Sequence, residues 1–294
     1  LQVVQLLVLL SGCQGRQTAA PEHSVSATEE PTYVGSASCT GCHLNEALTW
    51  SLSDHALAER PLRAGEPETL EAPGPDGLDR HYEVVRVLGH EPLRQFLLDM
   101  GDGRLQASPT AWDPQAEEWF YLEDSAKHWR NSAMNWNTGC AACHNVAVTI
   151  GYDQNEDTFD TTVFEHGVGC ESCHGPGSRH VERHRSDSRA EDGYGWIADP
   201  TASEAVLDTC GVCHARRSQL TESFQPGDVF EDHYALLIPA TDGAYYADGQ
   251  VRDENFVFGS FLQSPMHGAG VTCLTCHEPH SGDLRTEGND LCLD

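Results

Sequence analysis

The fold class this sequence predicts is mainly helical and irregular, with one small antiparallel sheet set into it. Three observations predict it. The pattern Cys-x-x-Cys-His occurs five times along 294 residues. Hydrophobic content is only 39%, while 27 Gly and 15 Pro limit long regular elements. Segments with strand composition gather in the one long gap, between the first and second copies.

Taken in order, Leu1 to Leu10 is almost wholly apolar but too short to span a bilayer. It reads as the apolar part of a secretory signal whose basic start is missing. Leu10-Ser11-Gly12-Cys13 has the form of a lipobox, so residues 1–13 are expected to be a truncated lipoprotein signal with Cys13 lipidated. The alternative is an ordinary signal with a chance cysteine. Gln14 after the cysteine resembles outer-membrane lipoproteins of Gram-negative cells. Residues 14–34 are polar and read as a flexible tether. The expected location is exported, in the periplasm or on the cell surface, with a lipid at the membrane.

The repeats are Cys39-Thr40-Gly41-Cys42-His43, Cys140-Ala141-Ala142-Cys143-His144, Cys170-Glu171-Ser172-Cys173-His174, Cys210-Gly211-Val212-Cys213-His214 and Cys273-Leu274-Thr275-Cys276-His277. Cys292 in Asn-Asp-Leu-Cys-Leu-Asp opens a sixth copy, so the sequence reads as cut inside it. The chemistry explains the spacing. Two thiols add to the vinyl groups of a haem, and the next residue places its imidazole under the iron. Zinc sites pair such cysteines but do not require a histidine after every pair. Thioredoxin-like sites use a single pair. Five complete haem c sites and a sixth opened by Cys292 are therefore expected, with the eleven motif cysteines as thioether donors and His43, His144, His174, His214 and His277 as proximal ligands. The porphyrins would form the core, which explains why aliphatic side chains are few.

Sixteen histidines leave eleven beyond the proximal set, and methionine is scarce, so a second histidine is the default distal ligand. His180 follows His174 by too short a segment to round the same macrocycle, so these two are expected to serve different haems. The same holds for His280 and His277. Candidates for distal ligation are His55, expected on a helix, His128, His180, His267 and His280, with His166 and His233 in reserve. His23, His81, His90 and His184 read as ordinary surface or structural residues.

Successive motifs are separated by 101, 30, 40, 63 and 19 residues. In the long gap His81–Leu88, Gly103–Trp112 and Glu117–Glu123 read as strands of a β subdomain at about 80–125, within a cytochrome domain spanning 35–294. Glu91–Met100 has a helical pattern. Residues 226–250 read as loop with short strands. Asp153–Asp160 opens like a calcium loop but lacks the glycine at position six and the glutamate at position twelve, which makes calcium a minor expectation.

The net charge is −29. Such a balance excludes nucleic acid, whose phosphates need clustered Lys and Arg, and is read as a solubility feature. The partners expected are redox proteins, other cytochromes among them. No phosphate loop, GxSxG elbow or HExxH is present.

Several segments, "YVGSASCTGCH", "WNTGCAACHN", "VGCESCHGPGSRHV", "TCGVCHARRSQ" and "GSFLQSPMHGAGVTCLTCHEPHSG", resemble a group of bacterial multihaem c-type cytochromes. Members often carry C-terminal tetratricopeptide repeats, and the group resembles the tetrahaem electron acceptor of hydroxylamine oxidoreductase. The resemblance covers residues 32–294. It implies a mainly α and irregular multihaem cytochrome c fold, haems packed in stacked and perpendicular pairs, and any repeats beyond Asp294. Members carry Tyr or His at the position of His267, which leaves its ligation open. The leading function is electron transfer through a chain of haems in a lipid-anchored carrier. The alternative is a multihaem oxidoreductase acting on a small nitrogen or sulfur compound at a haem without a distal ligand.

Overall fold

The computed structural model of the chain describes residues 30–122, 129–186, 203–237, 243–252 and 256–293. The expected signal, Cys13, most of the tether and His128 lie outside the described residues. No helix among the described residues is long and apolar enough to cross a membrane.

Six strands form an antiparallel sheet: β1 (Glu59–Arg60), β2 (Thr69–Pro73), β3 (Asp79–Leu88), β4 (Arg94–Asp99), β5 (Leu105–Asp113) and β6 (Glu118–Tyr121). The order is β1-β3-β4-β5-β6, and β2 pairs with β3 beyond the end of β1. The sheet therefore starts earlier than the expected boundary near residue 80.

Glu91–Met100 was expected to be helical, and here the structure differs: it forms β4. Phe96, Leu97 and Leu98 are 1%, 0% and 0% exposed. Alternate side chains of the run enter different clusters. Phe96 and Leu98 pack with Val84, Val87 and Trp129, whereas Leu97 packs with Leu88, Ala107, Trp136 and Ala141. A strand covered on both faces is apolar without interruption, and so short a run does not distinguish itself from a helix by periodicity.

The rest is short elements and loops. The remaining strands are β7 (Asn145–Thr149), β8 (Tyr152–Asp153), β9 (Thr158–Phe159), β10 (Thr162–His166), β11 (Arg217–Gln219) and β12 (Tyr234–Leu236), pairing as β7/β10, β8/β9 and β11/β12. The described helices are α1 (Leu44–Trp50), α2 (Ala141–His144), α3 (Cys170–His174), α4 (Ser178–Ser186), α5 (Ser203–His214), α6 (Phe230–His233), α7 (Phe258–Leu262), α8 (Pro265–Gly268) and α9 (Cys273–Cys276). Residues 226–250, expected as loop with short strands, contain α6 as well as β12.

His55 lies in turns beyond α1 rather than on a helix. The calcium expectation meets a tight β8/β9 turn whose carboxylates have protein partners. Asp157 pairs with Arg104 at 2.8 Å and accepts from Tyr152 Oη at 2.9 Å. Asp153 Oδ1 accepts from Asn155 N at 2.8 Å. Arg104 supplies the positive charge there.

Candidate haem centres

Each motif is placed by a different local device. The second sits against the sheet: Ala141, inside it, is fully buried beside Leu97 and Trp136. A single turn of π-helix, Trp136–Cys140, delivers the chain into it, with Asn135 Oδ1 accepting from Thr138 N at 3.0 Å.

The third is joined to the first by two carboxylates, one of them buried. Glu171, between its two cysteines, is 3% exposed and accepts from Val34 N at 3.0 Å, Gly35 N at 2.8 Å and Gly177 N at 2.7 Å. Glu165 on β10 accepts from Ser36 N at 3.0 Å and Ser36 Oγ at 2.9 Å, and Ser36 Oγ accepts from Cys170 N at 3.0 Å. Thr32 N also donates to Ser178 Oγ at 2.8 Å. The end of the expected tether is thus hydrogen-bonded from Thr32 onward.

The loop carrying His55 lies on the approach to the third motif. Val168 N donates to His55 O at 2.9 Å and Trp50 Nε1 to Val168 O at 2.8 Å. Gly167 has φ +84°, and a Cβ there would come within 2.7 Å of Ala56 O, so glycine is needed for the approach. The fourth motif ends α5 and packs through Gly211 on Phe258, where a Cβ would meet the ring at 2.9 Å. Cys273 of the fifth motif borders the same cluster of Leu207, Phe230, Tyr234 and Phe258.

Three proximal candidates have a second imidazole opposite them. The ring centres of His43 and His180 are 5.9 Å apart. Those of His174 and His280 are 6.4 Å apart, and those of His214 and His55 are 6.2 Å apart. Metal–imidazole bonds run about 2 Å, and each ring centre lies roughly 1 Å behind its nitrogen, so two imidazoles on one iron have centres about 6 Å apart. In every pair the second ring comes from a segment following a different motif. His180 and His280 thus lie beside the motif histidines His43 and His174 rather than beside their sequence neighbours His174 and His277.

The protonation states suit ligation. Burial first, then the neighbouring His280, His43 and His180, push His174 down to about 4. Burial and His214 likewise lower His55. Both are neutral at pH 7, with a lone pair available for metal.

His144 Nδ1 donates to Ala58 O at 2.9 Å, His277 Nδ1 to Gly282 O at 2.9 Å and His267 Nδ1 to Leu262 O at 3.1 Å. A backbone acceptor on Nδ1 fixes the tautomer and leaves Nε2 as the donor toward a metal. His267 stacks edge-on against Phe261, with no second imidazole among its described ring contacts. His166 is held by Glu59, at 2.9 Å, and Asn145, and His233 by Asp228, at 3.4 Å. His184 lies on α4 with its ring 4.5 Å from His180.

The motif cysteines are free thiols, and those of different motifs meet. Cys39 lies beside Cys170, Cys143 beside Cys213, and Cys210 beside Cys273, and within each pair the neighbouring thiol lowers one cysteine, Cys170 and Cys143 to about 6 and Cys273 to about 7. Cys140 is pushed up to about 12, chiefly by burial. Cys292 is exposed at the end of a short 3₁₀ turn. Among the described residues no three His, Cys, Asp or Glu side chains gather as a bare-metal cluster. The donor set therefore fits haem: thiol pairs beside proximal histidines, and imidazoles spaced to take an iron between them. Glu59 and Glu171, which organise the motifs, carry no signal in the sequence beyond being acidic residues near them.

A family model described as cytochrome c554 and c-prime matches residues 109–175, which include the second and third motifs. Among solved structures, the chain is similar to the outer cell wall cytochrome OcwA, at 18% identity and TM-score 0.66 over 89% of this chain and 66% of that one. A second similarity is to an undecahaem cytochrome from the S-layer of Carboxydothermus ferrireducens, at 18% identity and TM-score 0.49, over 90% of this chain and 42% of that one. The chain thus spans less than two thirds of the length of either structure. No curated protein matches it. By its likeness to OcwA, the chain has a multihaem cytochrome fold.

Proposed function

We propose that the chain is an electron-transfer protein, carrying covalently bound haem c at each complete motif and passing electrons from haem to haem. The observation that carries this reading is the set of three imidazole pairs with centres 5.9–6.4 Å apart, each pair joining one motif histidine to a histidine from a distant segment. In this reading His43 with His180, His174 with His280, and His214 with His55 would each hold one haem iron. When bound, haem supplies a reversible one-electron couple; the protein's residues supply ligands, burial and hydrogen bonds that set its potential.

The thiol contacts support an order of neighbours. The first motif adjoins the third through Cys39 and Cys170, and the fourth adjoins the second and the fifth through Cys143 and Cys273. Cys173 of the third acts electrostatically on both cysteines of the fourth. Electrons would run from first to third to fourth, with the second and fifth branching there. The partners are other redox proteins. The outer-cell-wall name of OcwA, together with the lipobox, supports an exported, surface-held carrier with Cys13 lipidated.

The test is a haem count with a carbon monoxide difference spectrum of the reduced chain. Five haems per chain are expected, and those of the first, third and fourth motifs, each with an imidazole pair, should not bind carbon monoxide. One haem that binds it would favour the oxidoreductase alternative, and a chain with two haems or fewer would overturn the reading. Replacing His180 by Ala should turn one haem high-spin, whereas His184→Ala should leave all spins unchanged.

A further inference from the structure

Glu59 is a buried carboxylate for which electron transfer as described above gives no reason. It is 1% exposed on β1. Its Oε2 accepts from Trp136 Nε1 at 2.7 Å and Asn145 Nδ2 at 2.8 Å. Its Oε1 faces Arg86 Nε at 2.7 Å and His166 Nδ1 at 2.9 Å. Trp136 opens the turn that leads into Cys140, and Asn145 directly follows His144. One carboxylate therefore bonds both flanks of the second motif. The residue before it, Ala58, offers the carbonyl that accepts from His144 Nδ1 at 2.9 Å.

Burial alone would raise the Glu59 carboxyl, but the bonds from His166, Asn145 and Trp136 outweigh it and the group lies below the usual carboxylate range. Burying an ion is costly, and an apolar side chain would fill this space more cheaply. A fixed negative charge in a low dielectric stabilises the more positive state of a nearby iron, the ferric one.

We propose that Glu59 is the positioning residue of the second haem: it orients His144 through β1 and the motif flanks, and holds that haem at a lower reduction potential than its ligands alone would give. The proposal rests on the haem reading above. Arg86 acts in the opposite sense, partly neutralising the carboxylate.

The experiment is a potentiometric titration of the haem-loaded full chain, with the second haem identified by the signal that changes in His144→Met. In Glu59→Gln, the ferrous-to-ferric ratio of that haem at fixed potential should rise at least tenfold, about 59 mV for a one-electron couple. In Arg86→Gln the same haem should move the other way. If both variants move it in the same direction, or if a fully loaded Glu59→Gln leaves every midpoint in place, the proposal fails. Should Glu59→Gln not fold, the sign in Arg86→Gln decides. A wild-type chain without haem would instead overturn the parent reading, and this one with it.

Discussion

Two regions of the chain bury their apolar side chains to different extents. In the sheet of 59–121, Val87, Leu97, Leu98 and Ala111 are completely enclosed. Around the motifs, Leu44, Leu48 and Leu52 are 61%, 59% and 82% exposed, on one side of α1 and its continuation. Met266 and Val257 are also exposed. The sheet has a core of its own. The motif regions have helices of four to twelve residues, mostly too short to be stable alone. The difference teaches where stability comes from: side chains in one region, and in the other a smaller cluster around Phe230 together with the proposed haems and the contacts they allow.

The largest expected effect breaks that comparison directly. A chain made without haem should lose amide protection over residues 203–293 while β3, β4 and β5 keep theirs. Equal loss in both regions, measured by hydrogen exchange, would show that the sheet depends on haem as well. Next comes packing. Leu97→Ala should cost about 2–5 kcal/mol, as enclosed leucines do, whereas Leu52→Ala should change the stability of the haem-free chain by less than about 0.5 kcal/mol. Denaturant unfolding of both variants checks the pair.

A third expectation concerns pH within the sheet. Burial would raise Glu66, but Arg60 and the Arg63 N–H bind it, Arg94 adds its charge, and the carboxyl ends below its ordinary value of 4.5. Glu59 behaves likewise. Carboxyls depressed in the folded state stabilise it fully above the unfolded value and progressively less as pH falls through the folded one. Thermal stability of the sheet should therefore hold above pH 4.5 and decline below it, and the decline should weaken in Glu66→Gln. The smallest effect is at the β8/β9 turn. Arg104 pairs there with Asp157, which is 72% exposed, so Arg104→Ala should cost less than about 1 kcal/mol. Added calcium should leave the melting temperature where it is.

The legible parts of the sequence were those whose chemistry is local. Five Cys-x-x-Cys-His copies specify a donor set wherever they stand, and β3, β5 and β6 announced themselves by β-branched and aromatic residues between turns. The spacing argument also directed His180 and His280 away from their own motifs, because a few residues do not round a macrocycle. β4 was not legible, since its reason for being a strand is that other elements cover both of its faces. Glu59 was not legible either: its four polar partners lie on β3, on β10 and on both sides of the second motif, and only the fold brings them together.

The three imidazole pairs have a consequence for assembly. His43 stands early in the chain, and the ring opposite it, His180, is far downstream; the same is true of His55 and His214, and of His174 and His280. In the proposed haem-loaded protein each iron is a clasp that closes a long loop of chain. A first haem attached as the chain emerges would keep one axial position waiting until a later segment arrives. The order of haem attachment and the order of loop closure are then separate schedules, and a spectrum that passes from high to low spin during maturation would time the second against the first.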